Sequence, residues 1–195
     1  MSCHKFDPAK LEKLNDPQRL QDIPPQLIWE RLGSIRCHTL VEIGAGTGVF
    51  SSAFQKLCAA QRVFACDTEP GMVSWMEQNL VPKCPAILPV LTEETKLPLD
   101  DASADLVFMI NVHHELDDPA AILAETFRIL KSPGKIFIVD WRKEATTQGP
   151  PSRIRYTPER VREQMMAAGF TELAIWNDLP KHFLVSGSKA STQPD

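Results

Sequence analysis

Three groups of residues in this 195-residue chain combine types and spacings that can do chemistry. The first is Val41-Glu42-Ile43-Gly44-Ala45-Gly46-Thr47-Gly48-Val49-Phe50, with a glycine at every second position. Glycines there let the chain turn tightly and bring backbone N–H groups against a ligand without a Cβ in the way. A helix starting just beyond would add its own unpaired N–H groups. The second is Asp67, which stands just before Glu69-Pro70-Gly71. A carboxylate ending a strand can accept hydrogen bonds from both hydroxyls of a ribose, or it can cap the next helix. The third is Asn111-Val112-His113-His114-Glu115-Leu116. A neutral imidazole is suited to take a proton near pH 7. Adjacent side chains diverge, so one of the two histidines faces a site. The alternative is that both are structural.

Spacing narrows the ligand. A dinucleotide fingerprint wants its third glycine at position 49, where Val49 stands, so a nicotinamide or flavin enzyme is disfavoured. A phosphate-binding G-K-[ST] is absent, and a zinc-binding H-E-x-x-H would need histidine where Asp118 stands. No metal site is expected. A further feature lies between positions 142 and 162, where Arg142, Lys143, Arg153, Arg155, Arg160 and Arg162 face only Glu144 and Glu159. This local excess guides an anionic ligand, or it is ordinary solvated surface.

These residues need elements to hold them. TLVEI (39–43), RVFACD (62–67), PAILPV (85–90), ADLVFMI (104–110) and KIFIVDW (135–141) read as strands. Between them VFSSAFQKLCAA (49–60), GMVSWMEQNL (71–80) and PAAILAETFRIL (119–130) have helical periodicity, the last stopping at Ser132-Pro133-Gly134. PPQLIWERLG (24–33) is a helix begun by proline and ended by glycine. A second such helix runs from Thr157 as N-cap to Gly169. TELAIWN (171–177) and HFLVSGS (182–188) form a hairpin-like ending. Alternation of this kind implies right-handed crossovers. The fold class is therefore α/β, a mostly parallel sheet with helices on both faces and an antiparallel addition at one edge.

Composition agrees. The length suits one domain with a real core, and no apolar run approaches the ~18 residues needed to span a membrane. The start lacks the apolar stretch of a secretory signal. Cys3, Cys37, Cys58, Cys66 and Cys84 form neither a zinc cage nor a disulfide framework, so reduced thiols in a cytoplasmic protein are expected. A net charge of −4 argues against generic nucleic-acid affinity.

Taken in order, the glycine run at 42–48, Asp67, Glu93-Glu94-Thr95-Lys96-Leu97-Pro98-Leu99 and Leu130-Lys131-Ser132-Pro133-Gly134-Lys135 resemble landmarks of class I S-adenosylmethionine-dependent methyltransferases. In character the chain is similar to the small-molecule, ubiquinone/menaquinone-biosynthesis type, "type 11". The resemblance implies a Rossmann-like seven-stranded, mostly parallel sheet with an antiparallel last strand. It implies S-adenosyl-L-methionine as cofactor and S-adenosyl-L-homocysteine as product. By the same resemblance Glu42, Gly44, Ala45, Gly46, Thr47 and Gly48 line the cofactor, and Asp67 with Thr68 meets its ribose. Met72 packs on the adenine, or is simply core. Glu93 takes the adenine amino group and the Glu94 N–H a ring nitrogen. Glu replaces the more frequent Asp there, which permits a one-residue shift. Asn111 lines the methionine portion.

Methyl transfer is an in-line displacement in which much of the acceleration comes from alignment. A base is needed only if the acceptor must lose a proton. His114, with His113 beside it, is the candidate for that role. Trp141, Arg142, Arg153 and Arg155 are expected on the acceptor side. The leading expectation is a methyltransferase acting on a small-molecule acceptor, an anionic one if the basic region guides it. One alternative is an RNA or protein methyltransferase using the basic 142–162 region, although no N-P-P-(aromatic) motif follows the fourth strand. Another is a non-catalytic cofactor-binding protein. The expected organisation is an N-terminal helical cover over 1–23, a methyltransferase domain over 24–188 and a disordered tail over 189–195. The site is then partly open, or completed by a second copy in a homodimer.

Overall fold

The computed structural model describes residues 11–144 and 148–191. Two short helices come first, α1 (Leu11–Leu14) and α2 (Gln18–Asp22), then α3 (Pro25–Arg31) and the strand β1 (Thr39–Ile43). The alternation continues with α4 (Val49–Cys58), β2 (Arg62–Asp67), α5 (Pro70–Asn79), β3 (Ile87–Leu91) and β4 (Ala104–Ile110). It finishes with α6 (Pro119–Ile129), β5 (Leu130–Trp141), α7 (Pro158–Ala167), β6 (Thr171–Trp176) and β7 (His182–Lys189). The strands form one seven-stranded sheet in the order β3-β2-β1-β4-β5-β7-β6. From β3 to β5 neighbouring strands are parallel, while β7 lies antiparallel between β5 and β6. This is the α/β, Rossmann-like sheet with an antiparallel last strand.

Helices cover both faces. Ile28, Trp29, Phe50, Phe54 and Met76 of α3, α4 and α5 pack on Leu40, Val63, Phe108 and Phe137. Ile122, Leu123, Val161 and Met165 of α6 and α7 pack on Val41, Val107, Ile136 and Ile138. The period-2 alternation of β4 sends Leu106, Phe108 and Ile110 to one face and Val107 and Met109 to the other. Both faces are buried, so the strand is apolar without a break. At the centre the rings of Phe108 and Phe137 stack at 4.9 Å, with Phe54 tilted over both.

Three details depart from the expected boundaries. The third strand spans Ile87–Leu91 instead of 85–90, and Pro89 inside it is tolerated because β3 is the edge strand and has only β2 to pair with. The Ser132-Pro133-Gly134 turn is absorbed into β5, which follows α6 directly, with Leu130 already opposite Ala104. Lys189 belongs to β7 rather than to a tail. Its Nζ donates to the carbonyls of Phe127 (2.7 Å) and Leu130 (2.8 Å), where the end of α6 attracts a cation. Residues 192–195 of the expected tail and 1–10 of the expected cover lie outside the described residues.

The rest of the cover, α1 and α2, lies over the C-terminal edge of the sheet. Lys181 Nζ binds Asp22 Oδ2 at 2.7 Å, and the Arg19 guanidinium sits 5.0 Å from the Phe50 ring centre. The Leu14 side chain rests on Gly46, 3.2 Å from where a Cβ would stand.

Candidate active site

The glycine loop joins β1 to α4, and its three glycines all have positive φ: +70° at Gly44, +58° at Gly46 and +70° at Gly48. Gly44 and Gly48 also lie against neighbouring side chains. A Cβ on Gly44 would stand 2.4 Å from Val112 Cγ2, and one on Gly48 2.5 Å from Leu80 Cδ2. The turn is held by Ala45 N–H donating to Cys66 O (2.9 Å) and Gly48 N–H to Ala45 O (2.8 Å). Glu42, next to last in β1, is buried beneath the loop, with the Ser51 hydroxyl donating to it. Burial pushes its carboxyl up to about 8, against the pull of Ser51 and the nearby Arg19 cation.

Asp67 closes the loop from the β2 side. Its Oδ2 accepts from Gly46 N–H at 2.7 Å and its Oδ1 from Glu69 N–H at 3.0 Å. The cap of α5 is Glu69, whose side chain accepts from Gly71 N–H. The aspartate is thereby left to the glycine loop and the Asp67–Glu69 turn. Burial raises its carboxyl above the usual range, and the two N–H groups work against this. Thr68 beside it is exposed, and Met72 is buried on α5. Beyond β3, Glu93 is exposed, while Glu94 Oε1 accepts from Asp117 N–H at 3.1 Å. Asn111 follows β4 with φ +60°, a conformation asparagine tolerates better than most residues.

Among the described residues, two buried oxygen atoms beside the glycine loop have no partner: Thr47 Oγ1 and Asn111 Oδ1. An unsatisfied buried polar atom costs about 1–3 kcal/mol. A hydroxyl and an amide oxygen, on either side of a glycine cradle that Cβ atoms would obstruct, match a ligand with a polar amino-acid end. The residues present therefore fit S-adenosylmethionine.

The histidines after β4 are divided as expected, but neither is an open neutral base. His113 Nε2 meets Gln164 Oε1 of α7 at 2.9 Å, and its ring lies edge-on to Tyr156; burial lowers its pKa. His114 turns the other way. Its backbone N–H and ring Nδ1 both bind the buried Asp140 carboxylate, at 2.9 and 2.7 Å. Burial works against the charge, yet Asp140 and, more distantly, Glu115 outweigh it and push the imidazole up to about 9. At neutral pH His114 already carries the proton. Its Nδ1 is engaged by Asp140 instead of open to an acceptor.

Two of the arginines expected on the acceptor side have carbonyl partners within the chain. Arg155 is buried, with Nε donating to Pro150 O (2.8 Å), Nη1 to Arg142 O (3.0 Å) and Glu144 O (3.2 Å), and Nη2 to Gln148 O (2.7 Å). Arg142 donates to His182 O (3.2 Å) and Leu179 O (2.6 Å), and also to Asn177 O. Both staple backbone rather than wait for an anion. Arg153 is exposed on a single 3₁₀ turn (Ser152–Ile154). Trp141 is half-buried, between the His182 ring (4.3 Å) and the Arg155 guanidinium (5.5 Å). Arg155→Ala is accordingly expected to destabilise the fold by about 2–3 kcal/mol and to expose the backbone at Arg142, Glu144, Gln148 and Pro150 to proteolysis. Lysine, lacking the planar fork, rescues little. Urea titration and limited digestion check this, with S-adenosylhomocysteine affinity unchanged. Lost affinity at unchanged stability would return Arg155 to a binding role.

Sequence reasoning missed three residues of this edge. Asp140 was hidden as a polar residue inside an apolar strand, a pattern that itself signals a buried partner. Arg19 lay in a segment with no motif. His182 opened an ordinary strand, yet it is 1% exposed with both ring nitrogens unpartnered.

Among the described residues no helix is long and apolar enough to cross a membrane. The chain is similar over 95% of its length to all of a crystallised S-adenosylmethionine-dependent methyltransferase from Aquifex aeolicus, with 29% identity and a TM-score of 0.87. It is 30% identical over 100 residues to malonyl-[acyl-carrier protein] O-methyltransferase of Hahella chejuensis, covering 50% of this chain and 34% of that one. It is 27% identical over 135 residues to a probable S-adenosylmethionine-dependent methyltransferase of Mycobacterium tuberculosis, covering 69% of this chain and 44% of that one. The chain thus spans less than half the length of these two curated relatives. A family model described as a methyltransferase domain matches residues 41–138. Glycine loop, strand order and matched residues coincide, and the chain belongs to the type 11 family of S-adenosylmethionine-dependent methyltransferases.

Proposed function

We propose that this protein transfers a methyl group from S-adenosylmethionine to a small-molecule acceptor. The observation that carries the reading is the glycine cradle closed by Asp67 Oδ2 on Gly46 N–H, with Thr47 Oγ1 and Asn111 Oδ1 unsatisfied beside it. When bound, the cofactor supplies an electrophilic methyl group on a sulfonium. Gly44, Ala45, Gly46 and Gly48 let the backbone approach it, above Glu42. Thr47 and Asn111 hold its amino-acid end. Asp67, next to Thr68, takes the ribose hydroxyls, and Met72 and Glu93 with the Glu94 N–H frame the adenine. The chain's contribution is to hold the reacting atoms in line and exclude water.

Support for a small acceptor comes from two sides. The Hahella relative is named as an O-methyltransferase of malonyl-[acyl-carrier protein]. Half of the basic residues that an RNA or protein substrate would use are engaged: Arg142 and Arg155 bind carbonyls, and Arg160 pairs with Glu163 at 3.1 Å. Calorimetry with S-adenosylhomocysteine tests the cofactor half. Asp67→Ala is expected to weaken binding about 30-fold, roughly 2 kcal/mol for two charge-assisted hydrogen bonds. Unchanged affinity would remove Asp67 from the ribose. Release of S-adenosylhomocysteine with a mass gain on an acceptor separates an enzyme from a non-catalytic binder.

A further inference from the structure

Among the described residues, His182 is the one side chain at this edge with both ring nitrogens buried and unpartnered. It opens β7 opposite Trp141 of β5, on the sheet face that α2 covers. It is 1% exposed, and neither Nδ1 nor Nε2 has a hydrogen-bond partner. A core histidine normally satisfies at least one ring nitrogen. The charged groups that reach it are Asp140 from β5, Asp22 and Arg19 from α2, and Lys181 beside it, with Trp141 against its ring. Burial outweighs all of them and holds the ring neutral, its pKa lowered to about 4. One nitrogen is then a free donor and the other a free acceptor.

The charges around it choose between acceptor classes. A carboxylate would need a cation with donors to spare. Lys181 pairs with Asp22 at 2.7 Å, and Arg19 donates to Leu14 O at 2.7 Å and faces Glu42. His114 is held by Asp140, while Arg142 and Arg155 bind carbonyls. A neutral hydroxyl needs only what His182 offers.

We propose that His182 is the acceptor-binding base and that the acceptor is a neutral hydroxyl compound, methylated on oxygen. The hydroxyl donates its hydrogen bond to the free ring nitrogen. Its oxygen takes the methyl carbon, the former carbon–sulfur pair stays on sulfur, and the hydroxyl proton passes to His182, which returns it to water only after the products have left the site. The Asp140 carboxylate is already occupied by the His114 N–H and ring Nδ1. The proposal rests on the methyltransferase reading, and its test keeps the two apart.

The test uses the full chain. Calorimetry first measures S-adenosylhomocysteine binding; no binding overturns the methyltransferase reading itself. With the product-bound protein, ring-nitrogen NMR follows His182 while phenol or benzoate is added. Phenol is expected to move the His182 nitrogens and benzoate to leave them in place. Turnover is then compared across matched alcohols, phenols, carboxylates and amines. Methyl ethers are the expected products, and His182→Asn is expected to lower their formation about 100-fold. KM and S-adenosylhomocysteine affinity should stay within about threefold, the signature of a lost transition-state interaction. His182→Gln guards against a folding defect, and the NMR arm needs no variant. Unmoved nitrogens with phenol, methyl esters or amines as the main products, or full activity in either variant would each overturn the proposal.

Discussion

Asp140→Ala lowers the stability of the fold by about 3–5 kcal/mol at pH 7, the cost of leaving a buried charge without its partner. Asp140 is 1% exposed and accepts from His114 N–H, His114 Nδ1 and Trp141 N–H, so truncation strands three donors at once. The loss depends on pH. The folded imidazole of His114 has its pKa raised to about 9 against an ordinary 6.5. Its stabilising contribution is therefore fully present below 6.5 and lost as pH rises through 9. Two to three units correspond to about 3 kcal/mol. Urea unfolding of both proteins at pH 7 and pH 9.5 should show the gap narrowing by about 2 kcal/mol. Glu42 titrates in the same window, but in both proteins, and cancels in the difference. A gap of equal size at both pH values would mean that Asp140 supports the backbone and not a cation.

Gly44→Ala is the second large effect. The residue sits at φ +70°, where an L side chain costs about 1–2 kcal/mol. The new Cβ would also stand 2.4 and 2.9 Å from the two Val112 methyl carbons. Val112 has to move, and it lies between Asn111 and the histidines. The disturbance thus passes from the β1 loop to the loop after β4. The expected cost is about 2–4 kcal/mol in stability together with about a 100-fold loss of S-adenosylhomocysteine affinity. Repeating the substitution in a Val112→Ala background separates the causes, because overlap is relieved and backbone strain is not. There the cost of Gly44→Ala should fall to about 1–2 kcal/mol. An identical cost in both backgrounds would show that Val112 is not the obstacle.

These two residues differ in how far the sequence announced them. Gly44 was legible because its requirement is local: positive φ and a bare Cα follow from a strand turning at once into a helix. The same holds for β1, β2 and β4, whose bounds fall where the apolar runs begin and end, and for Thr157, which caps α7 through Arg160 N–H as its neighbours foretold. Local pattern failed where the partner was distant. The Ser132-Pro133-Gly134 stretch reads as a stop, yet pairing with β4 and β7 extends β5 through it. Arg142 and Arg155 read as an attractive charge, since sequence cannot show carbonyls brought within reach by chain reversal.

By itself the sequence determined the alternation of strands and helices, the glycine loop between β1 and α4 and, through these, the family. All follow from contacts among residues near one another in the chain. The tertiary structure alone decided which charges are paired. His114 became a cation because β5 brings Asp140 to within 2.7 Å, and His182 stayed neutral because α2 and Trp141 cover it. Protonation is set by burial and by neighbours from other strands, and a linear order of residues contains neither.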